Sequence, residues 1–109
     1  TMTLLQKRDA ERQRQRLVLF DRTREELRMA LGAVLPASRV MVFGSLTKRG
    51  VFNAASDIDL ALFAEPAGKS TFGLMAELEE RLRRHVDVLL LENTRLKEKI
   101  LREGEVWTT

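Results

Sequence analysis

The amino-acid sequence predicts an α+β fold: a small mixed β-sheet with helices packed on it, in the order α-β-β-α-β-α. Three observations support this. Apolar runs of strand length lie at 40–43, 58–63 and 86–91. Around them, apolar residues recur at helical spacing. Turn and capping residues (Pro36, Gly44, Pro66, Gly68, Ser70, Gly104) separate one pattern from the other. At 109 residues, 44% hydrophobic and 32% charged, the chain is expected to form one soluble domain with a modest core.

Residues 3 to 35 carry a helical pattern in two unlike parts. Leu17, Phe20, Leu27, Leu31 and Val34 recur at steps of three, four and seven, marking one buried stripe. Arg24 falls on that stripe and is expected to snorkel or to pair. Continued toward the N-terminus, the stripe meets Gln6, Ala10 and Gln13, which are poor core residues. Residues 1–16 also carry Lys7, Arg8, Arg12, Arg14 and Arg16 against Asp9 and Glu11. They are therefore expected to be a solvated helical extension of a single domain spanning 1–109. Thr1 before Met2 reads as a tag remnant, and Pro36 ends the helix.

Val40-Met41-Val42-Phe43 is wholly apolar and stops at Gly44, as a strand buried on both faces does. A second strand, Ile58 to Phe63, ends at Glu65-Pro66-Ala67-Gly68. Ser70 is expected to cap a helix reaching about Arg84, with Phe72, Met75, Leu78 and Leu82 inward. Val86 to Leu91 is the third strand. Asn93 or Thr94 is expected to cap a last helix carrying Leu96, Ile100 and Leu101, stopped by Gly104.

Composition excludes several functions. No apolar run approaches the ~20 residues of a membrane span, and the N-terminus lacks a signal-peptide pattern, so a cytoplasmic address is expected. Without cysteine there are no disulfides or thiolate metal sites, and a single histidine argues against an all-protein zinc site. A metal here would be a hard cation held by oxygens, which suits magnesium. The net charge of +3 and pI of 9.8 suit an anionic partner such as a nucleotide. The few aromatics are not interleaved with basic residues, so nucleic acid is not an expected partner.

Chemistry concentrates in Phe43-Gly44-Ser45 and Ser56-Asp57-Ile58-Asp59-Leu60. Side chains alternate along a strand, so Asp57 and Asp59 share a face with Cα atoms about 7 Å apart, able to bind one cation or bridge two. Without a cation they repel, and one keeps its proton to higher pH. An Asp-x-Asp alone is as readily a solvated turn, and the Gly-Ser and the strand context single this one out. Asp87, inside an apolar run, either faces a site at the strand's mouth or pairs with Arg83 or Arg84, because an unpaired buried carboxylate is costly. Gly44-Ser45 would place backbone N–H groups and a hydroxyl at a strand-to-helix turn, a geometry that cradles phosphate oxygens. His85 reads as a residue at the start of the strand, pointing to the face opposite Asp87. Arg81, Arg83 and Arg84 read as a solvated helix face, and Trp107 as a cover for the last helix or a partner surface.

On Gly44-Ser45, Asp57-Ile58-Asp59 and Asp87, the chain resembles the minimal nucleotidyltransferases, the smallest members of the DNA polymerase β-like superfamily, from near Arg39 to the C-terminus. The resemblance implies the palm fold of that superfamily. It implies that Asp57 and Asp59 bind two metal ions, with Mg2+ expected. Asp87 is then the third carboxylate, acting as a metal-assisted general base. Gly44 and Ser45, with a basic residue after them, would hold the phosphates of ATP. In the family, Gly-Ser is followed by two residues and then Arg-Gly. Here Leu46, Thr47 and Lys48 precede Arg49-Gly50, so either Lys48 or Arg49 would contact phosphate.

The implied reaction is in-line attack of a hydroxyl on the α-phosphate of a nucleoside triphosphate, with pyrophosphate leaving. Larger members bind the acceptor with extra domains. Only one helix is expected after Asp87, so a second copy of the chain or a separate protein would complete the site. In the resembling family, small chains pair with helical HEPN-domain proteins in toxin–antitoxin systems, and the nucleotidyltransferase transfers AMP from ATP to a tyrosine of its partner. Two further readings compete: a binding module that neutralises its partner without turnover, and a small-molecule transferase of the aminoglycoside-modifying kind.

Overall fold

Helix formation starts at Thr3 in the computed structural model, which describes residues 1–109. The Thr3 hydroxyl accepts from the Gln6 N–H (3.1 Å), and the Gln6 carboxamide accepts from the Thr3 N–H (2.8 Å). This reciprocal cap satisfies N–H groups that the first turn leaves without partners. From it α1 runs over Leu4–Val34. Its residues up to Arg16 are exposed, whereas Phe20, Thr23, Leu27, Ala30, Leu31 and Val34 are buried at helical spacing. Arg24 lies on that stripe and pairs. Its guanidinium donates to both carboxylate oxygens of Glu105 (2.7 and 3.1 Å) and to the Leu46 carbonyl (2.8 Å).

The remaining elements are β1 (Arg39–Phe43), β2 (Ile58–Leu62), α2 (Thr71–Leu82), β3 (Val86–Leu90), α3 (Lys97–Glu103) and β4 (Glu105–Thr108). The sheet order is β3-β2-β1-β4; β1 is antiparallel to β2 and β4, and β2 is parallel to β3. A parallel pair needs a crossover, and α2 supplies it. This is the α+β mixed sheet expected from the sequence, with one strand added. Glu105-Val106-Trp107-Thr108 is too short for a periodic signal and is a strand because β1 pairs with it, Val40 opposite Trp107. Trp107 is accordingly buried beneath α1 and not laid over α3. Gly104 permits the tight α3–β4 join: a Cβ there would lie 2.7 Å from the Ile100 carbonyl and 3.0 Å from that of Val42.

The pleat divides the sheet into two faces. Val40, Val42, Ile58, Leu60, Val86 and Trp107 join Leu27, Leu31, Leu74 and Leu78 in the main core under α1 and α2. Met41 and Ala61 form a smaller cluster with Leu91 and Ile100, flanked by Phe43 and Leu89. Asp57, Asp59 and Asp87 fall on this second face, which α3 covers only in part.

Several local expectations need correction. Ser70 caps α2 as expected, accepting from the Gly73 N–H (2.9 Å), but Phe72 is 80% exposed. At 100° per residue it sits off the stripe formed by Leu74, Met75, Leu78 and Leu82. The helix ends at Leu82 because Arg83 turns left-handed (φ 54°). Neither Asn93 nor Thr94 caps α3. Residues 91–93 form a 3-10 turn, and Leu96 precedes the helix with no side-chain cap, leaving Leu96 and Leu101 exposed. No helix is long and apolar enough to cross a membrane.

Candidate active site

The parallel register places Ile58 opposite Val86 and Asp59 opposite Asp87. One step earlier, the Ile58 N–H donates to the His85 carbonyl (3.0 Å), which sets Asp57 beside His85. Alternation then puts Asp57, Asp59, His85 and Asp87 on one face, at the mouths of two adjacent strands. This corrects the expectation that His85 points away from Asp87. The two residues are two positions apart, so the period of a strand places them on the same side. The His85 Nε2 lies 3.0 Å from Asp87 Oδ1, and its Nδ1 lies 2.9 Å from Glu79 Oε2 at the C-terminal end of α2. One ligand atom each from Asp57, His85 and Asp87 fall within 4.8 Å of one another.

Asp59 occupies the inner corner. Its strand partner is Phe43, immediately before Gly44. Gly44 is left-handed (φ 74°), and a Cβ there would collide with the Asp59 carboxylate, whose carbon would be 3.3 Å away. Glycine is required twice over, by conformation and by proximity. The Asp59 carboxyl is pushed up from 3.8 to about 6, chiefly by burial and then by the charges of Asp87 and Asp57, with His85 opposing. The His85 imidazole is itself raised, first by its hydrogen bond to Glu79 and then by Asp87.

Arg84 holds the loop that delivers Asp57. Its guanidinium donates to the carbonyls of Asn53 (3.3 Å), Ala54 (3.1 Å) and Ser56 (2.6 Å), and stacks 4.9 Å from the ring centroid of the buried Phe52. It is neither on a solvated face nor paired with Asp87. Nothing in residue spacing marks this role, because the acceptors are carbonyls of a loop remote in sequence.

On the other side of Gly44, residues 44–47 make one 3-10 turn, closed by the Thr47 hydroxyl donating to the Gly44 carbonyl (2.7 Å). Between this turn and α3 lies a cleft of ≈ 160 Å³ lined by Phe43, Gly44, Thr47, Lys48, Leu96, Lys99, Ile100 and Glu103. Ser45 is half-buried beside it, its carbonyl accepting from the Lys48 N–H (3.0 Å). Lys48 faces the cleft, whereas Arg49 turns to α1, paired with Asp21 and near the Phe20 ring. Lys99 enters from α3, a helix with no recognisable motif, and so escaped notice in the sequence. The structure thus brings Gly44, Asp57, Asp59 and Asp87 together, sets Ser45 and Lys48 alongside, and takes Arg49 elsewhere. Carboxylate oxygens at this spacing could hold hard divalent cations.

Fold and family together make the chain a nucleotidyltransferase domain. Residues 36–108 match the model of the family described as Polymerase beta, Nucleotidyltransferase, and the chain belongs to that family. Among solved structures, a toxin–antitoxin with AMP-PNP is 23% identical with a TM-score of 0.59, over 78% of this chain and 73% of that one. The toxin–antitoxin MntA–HepT is 20% identical with a TM-score of 0.56, over 82% and 73% of the respective chains. At such identities the likeness is one of fold. No curated protein sequence matches the chain.

Proposed function

We propose that the chain is a metal-dependent nucleotidyltransferase that moves AMP from ATP to a hydroxyl of a partner protein, as the antitoxin of a pair with a helical HEPN-type toxin. The observation that carries this is the convergence of Asp57, Asp59 and Asp87 on one face of the sheet, beside the left-handed Gly44 turn. Burial, then the charges of Asp87 and Asp57, push the Asp59 carboxyl up to about 6, a cost that a bound cation would relieve. These carboxylates suit Mg2+ and would hold it, and bound ions would stabilise the entering and departing oxygens of the transfer.

The chain's own groups account for the rest. Asp87, on the accessible side of the acid group, takes the proton of the acceptor hydroxyl. The hydroxyl oxygen bonds to the α-phosphorus as the bond to the β-phosphate's bridging oxygen breaks, releasing pyrophosphate. Lys48 and Lys99 present positive charge to the triphosphate from two sides of the cleft. The toxin–antitoxin neighbours, one holding AMP-PNP, support the choice of nucleotide and partner. Exposed Leu4, Leu5, Val18 and Met29 along α1 give a helical partner apolar surface to meet.

The test is incubation with Mg2+ and α-phosphate-labelled ATP in a lysate of cells that express the chain's partner. Label on a discrete protein band, lost in Asp57→Ala, is the expected result. ATP binding without any labelled product would instead favour neutralisation by complex formation. One observation lends that second reading weight: Arg49 is engaged with Asp21 and not with the cleft.

A further inference from the structure

We infer that His85 is itself a metal ligand, its Nε2 joining Asp57 and Asp87 around one divalent ion, which rests on the nucleotidyl-transfer reading. The site then takes mixed nitrogen and oxygen donors and favours a first-row ion such as Mn2+ over Mg2+. Three observations converge on this. The ligand atoms of Asp57, His85 and Asp87 all lie within 4.8 Å of one another, a group that does not include the inner Asp59. The Nε2 to Asp87 Oδ1 separation is 3.0 Å, and adjacent ligands of an octahedral ion with ~2.1 Å bonds stand about 3.0 Å apart. Finally, Nδ1 is held by Glu79 at 2.9 Å, the outer carboxylate contact that fixes a metal-binding imidazole with its other nitrogen facing the ion.

The backbone reinforces the placement. The Ile58 N–H to His85 carbonyl bond ties the two strand mouths together, so the His85 backbone stays beside that of Asp57 as long as the first rung of the β2–β3 pairing holds. Glu79 also accepts from the Val86 N–H (3.4 Å), which anchors the outer carboxylate to the same strand. An imidazole in place of one oxygen ligand raises affinity along the first-row series and does little for magnesium, which prefers oxygen and water.

Mn2+ serves as the probe, on tag-free protein without nucleotide. His85 is the chain's only histidine, so any histidine nitrogen coupled to the ion must be its own. Electron spin-echo modulation of the Mn2+-loaded wild type is expected to show nitrogen coupling that changes pattern on 15N-histidine labelling. A His85→Ala variant is expected to lose the coupling and about tenfold or more in Mn2+ affinity, with a smaller change for Mg2+. Bound Mn2+ that is displaced in Asp57→Ala but shows no nitrogen coupling in the wild type overturns the inference and leaves the nucleotidyl-transfer reading standing. Failure of Mn2+ and Mg2+ to bind at all, with or without ATP, overturns both. The labelled wild type needs no substitution, so a variant that misfolds cannot blur the outcome.

Discussion

Two charged clusters sit on opposite faces of the same sheet, and the chain treats them in opposite ways. Under α1, the Glu105 carboxylate receives two bonds from Arg24 and one from the Trp107 Nε1 (3.2 Å), while Arg28 stacks 4.4 Å from the Trp107 ring. Its carboxyl is held below the usual range, first by the Arg24 hydrogen bond. On the other face, the side-chain nitrogen in contact with the three acids is that of His85 alone, through Asp87. Arg84, next in sequence, faces away to loop carbonyls. Asp59 is pushed up, where Glu105 is pushed down. Charge needed for the fold is neutralised by the fold, and the acids left largely without a cation on the other face are those to which the proposed divalent ion would bind.

The largest effect should come from breaking the unmet cluster. Asp57→Ala or Asp59→Ala is expected to cut labelled transfer about a thousandfold or more, since several kcal/mol of charge stabilisation at the reacting phosphate would be lost. The metal-free melting temperature should hold or rise, because a repulsive carboxylate has gone. A collapsed melt on either change would make these acids structural. Breaking the met cluster should do the reverse. Arg24→Ala is expected to cost about 2 kcal/mol in a urea titration, a figure tempered by partial exposure of the pair (Arg24 22%, Glu105 39%). Divalent-ion affinity in that variant should stay as in wild type. Unchanged stability would show that Glu105 is held by packing alone.

Arg84→Ala tests a residue that serves the unmet cluster from behind. Freeing the carbonyls of Asn53, Ala54 and Ser56 should loosen the approach to Asp57. We expect divalent-ion affinity to fall several-fold, with about 1 kcal/mol of lost stability. Isothermal titration of Mn2+ measures the first quantity. An unaltered affinity beside a lowered stability would reduce Arg84 to a plain loop anchor.

How much of this was legible in the sequence follows from the range of each interaction. Strand-length apolar runs, the Ser70 cap and the Leu27–Leu31–Val34 stripe depend on neighbours in the chain, and they read correctly. So did the need for Arg24 to find a partner, although its partner Glu105, far along the chain, could not be named. Asp57 and Asp59 declare a shared face through their spacing. What failed was contact between distant segments: β4 exists by pairing with β1, Arg84 by loop carbonyls, Lys99 by the packing of α3. His85 is the exception, since two-residue spacing from Asp87 already implied a common face. The preference for Lys48 over Arg49 as the cleft's cation also needed α1, because Asp21 is what draws Arg49 aside.

The smallest expected effect, and the one that sets the two clusters against each other directly, is the pH dependence of stability without metal. Asp59 has a folded value of about 6 against an ordinary 3.8. The folded state therefore binds its proton more tightly than the unfolded chain does. That preference stabilises the fold fully below 3.8 and fades as pH rises through about 6. Glu105, shifted down from 4.5, works with the opposite sign, its contribution present above 4.5 and lost as pH falls below it. Melting temperature should therefore peak on the mildly acidic side and decline toward neutrality, modestly, because Asp59 is only half-buried. His85, raised and exposed, adds to the decline at higher pH. Asp59→Asn should flatten the slope between pH 4 and about 6, and Arg24→Ala should soften the acid limb. Added Mg2+ should lift the neutral limb in the wild type, since a bound cation favours the ionised carboxylates that repel without it. A wild-type profile that rises steadily from pH 4 to 7, unmoved by Mg2+, would mean that the acids on this face are already satisfied by the chain itself.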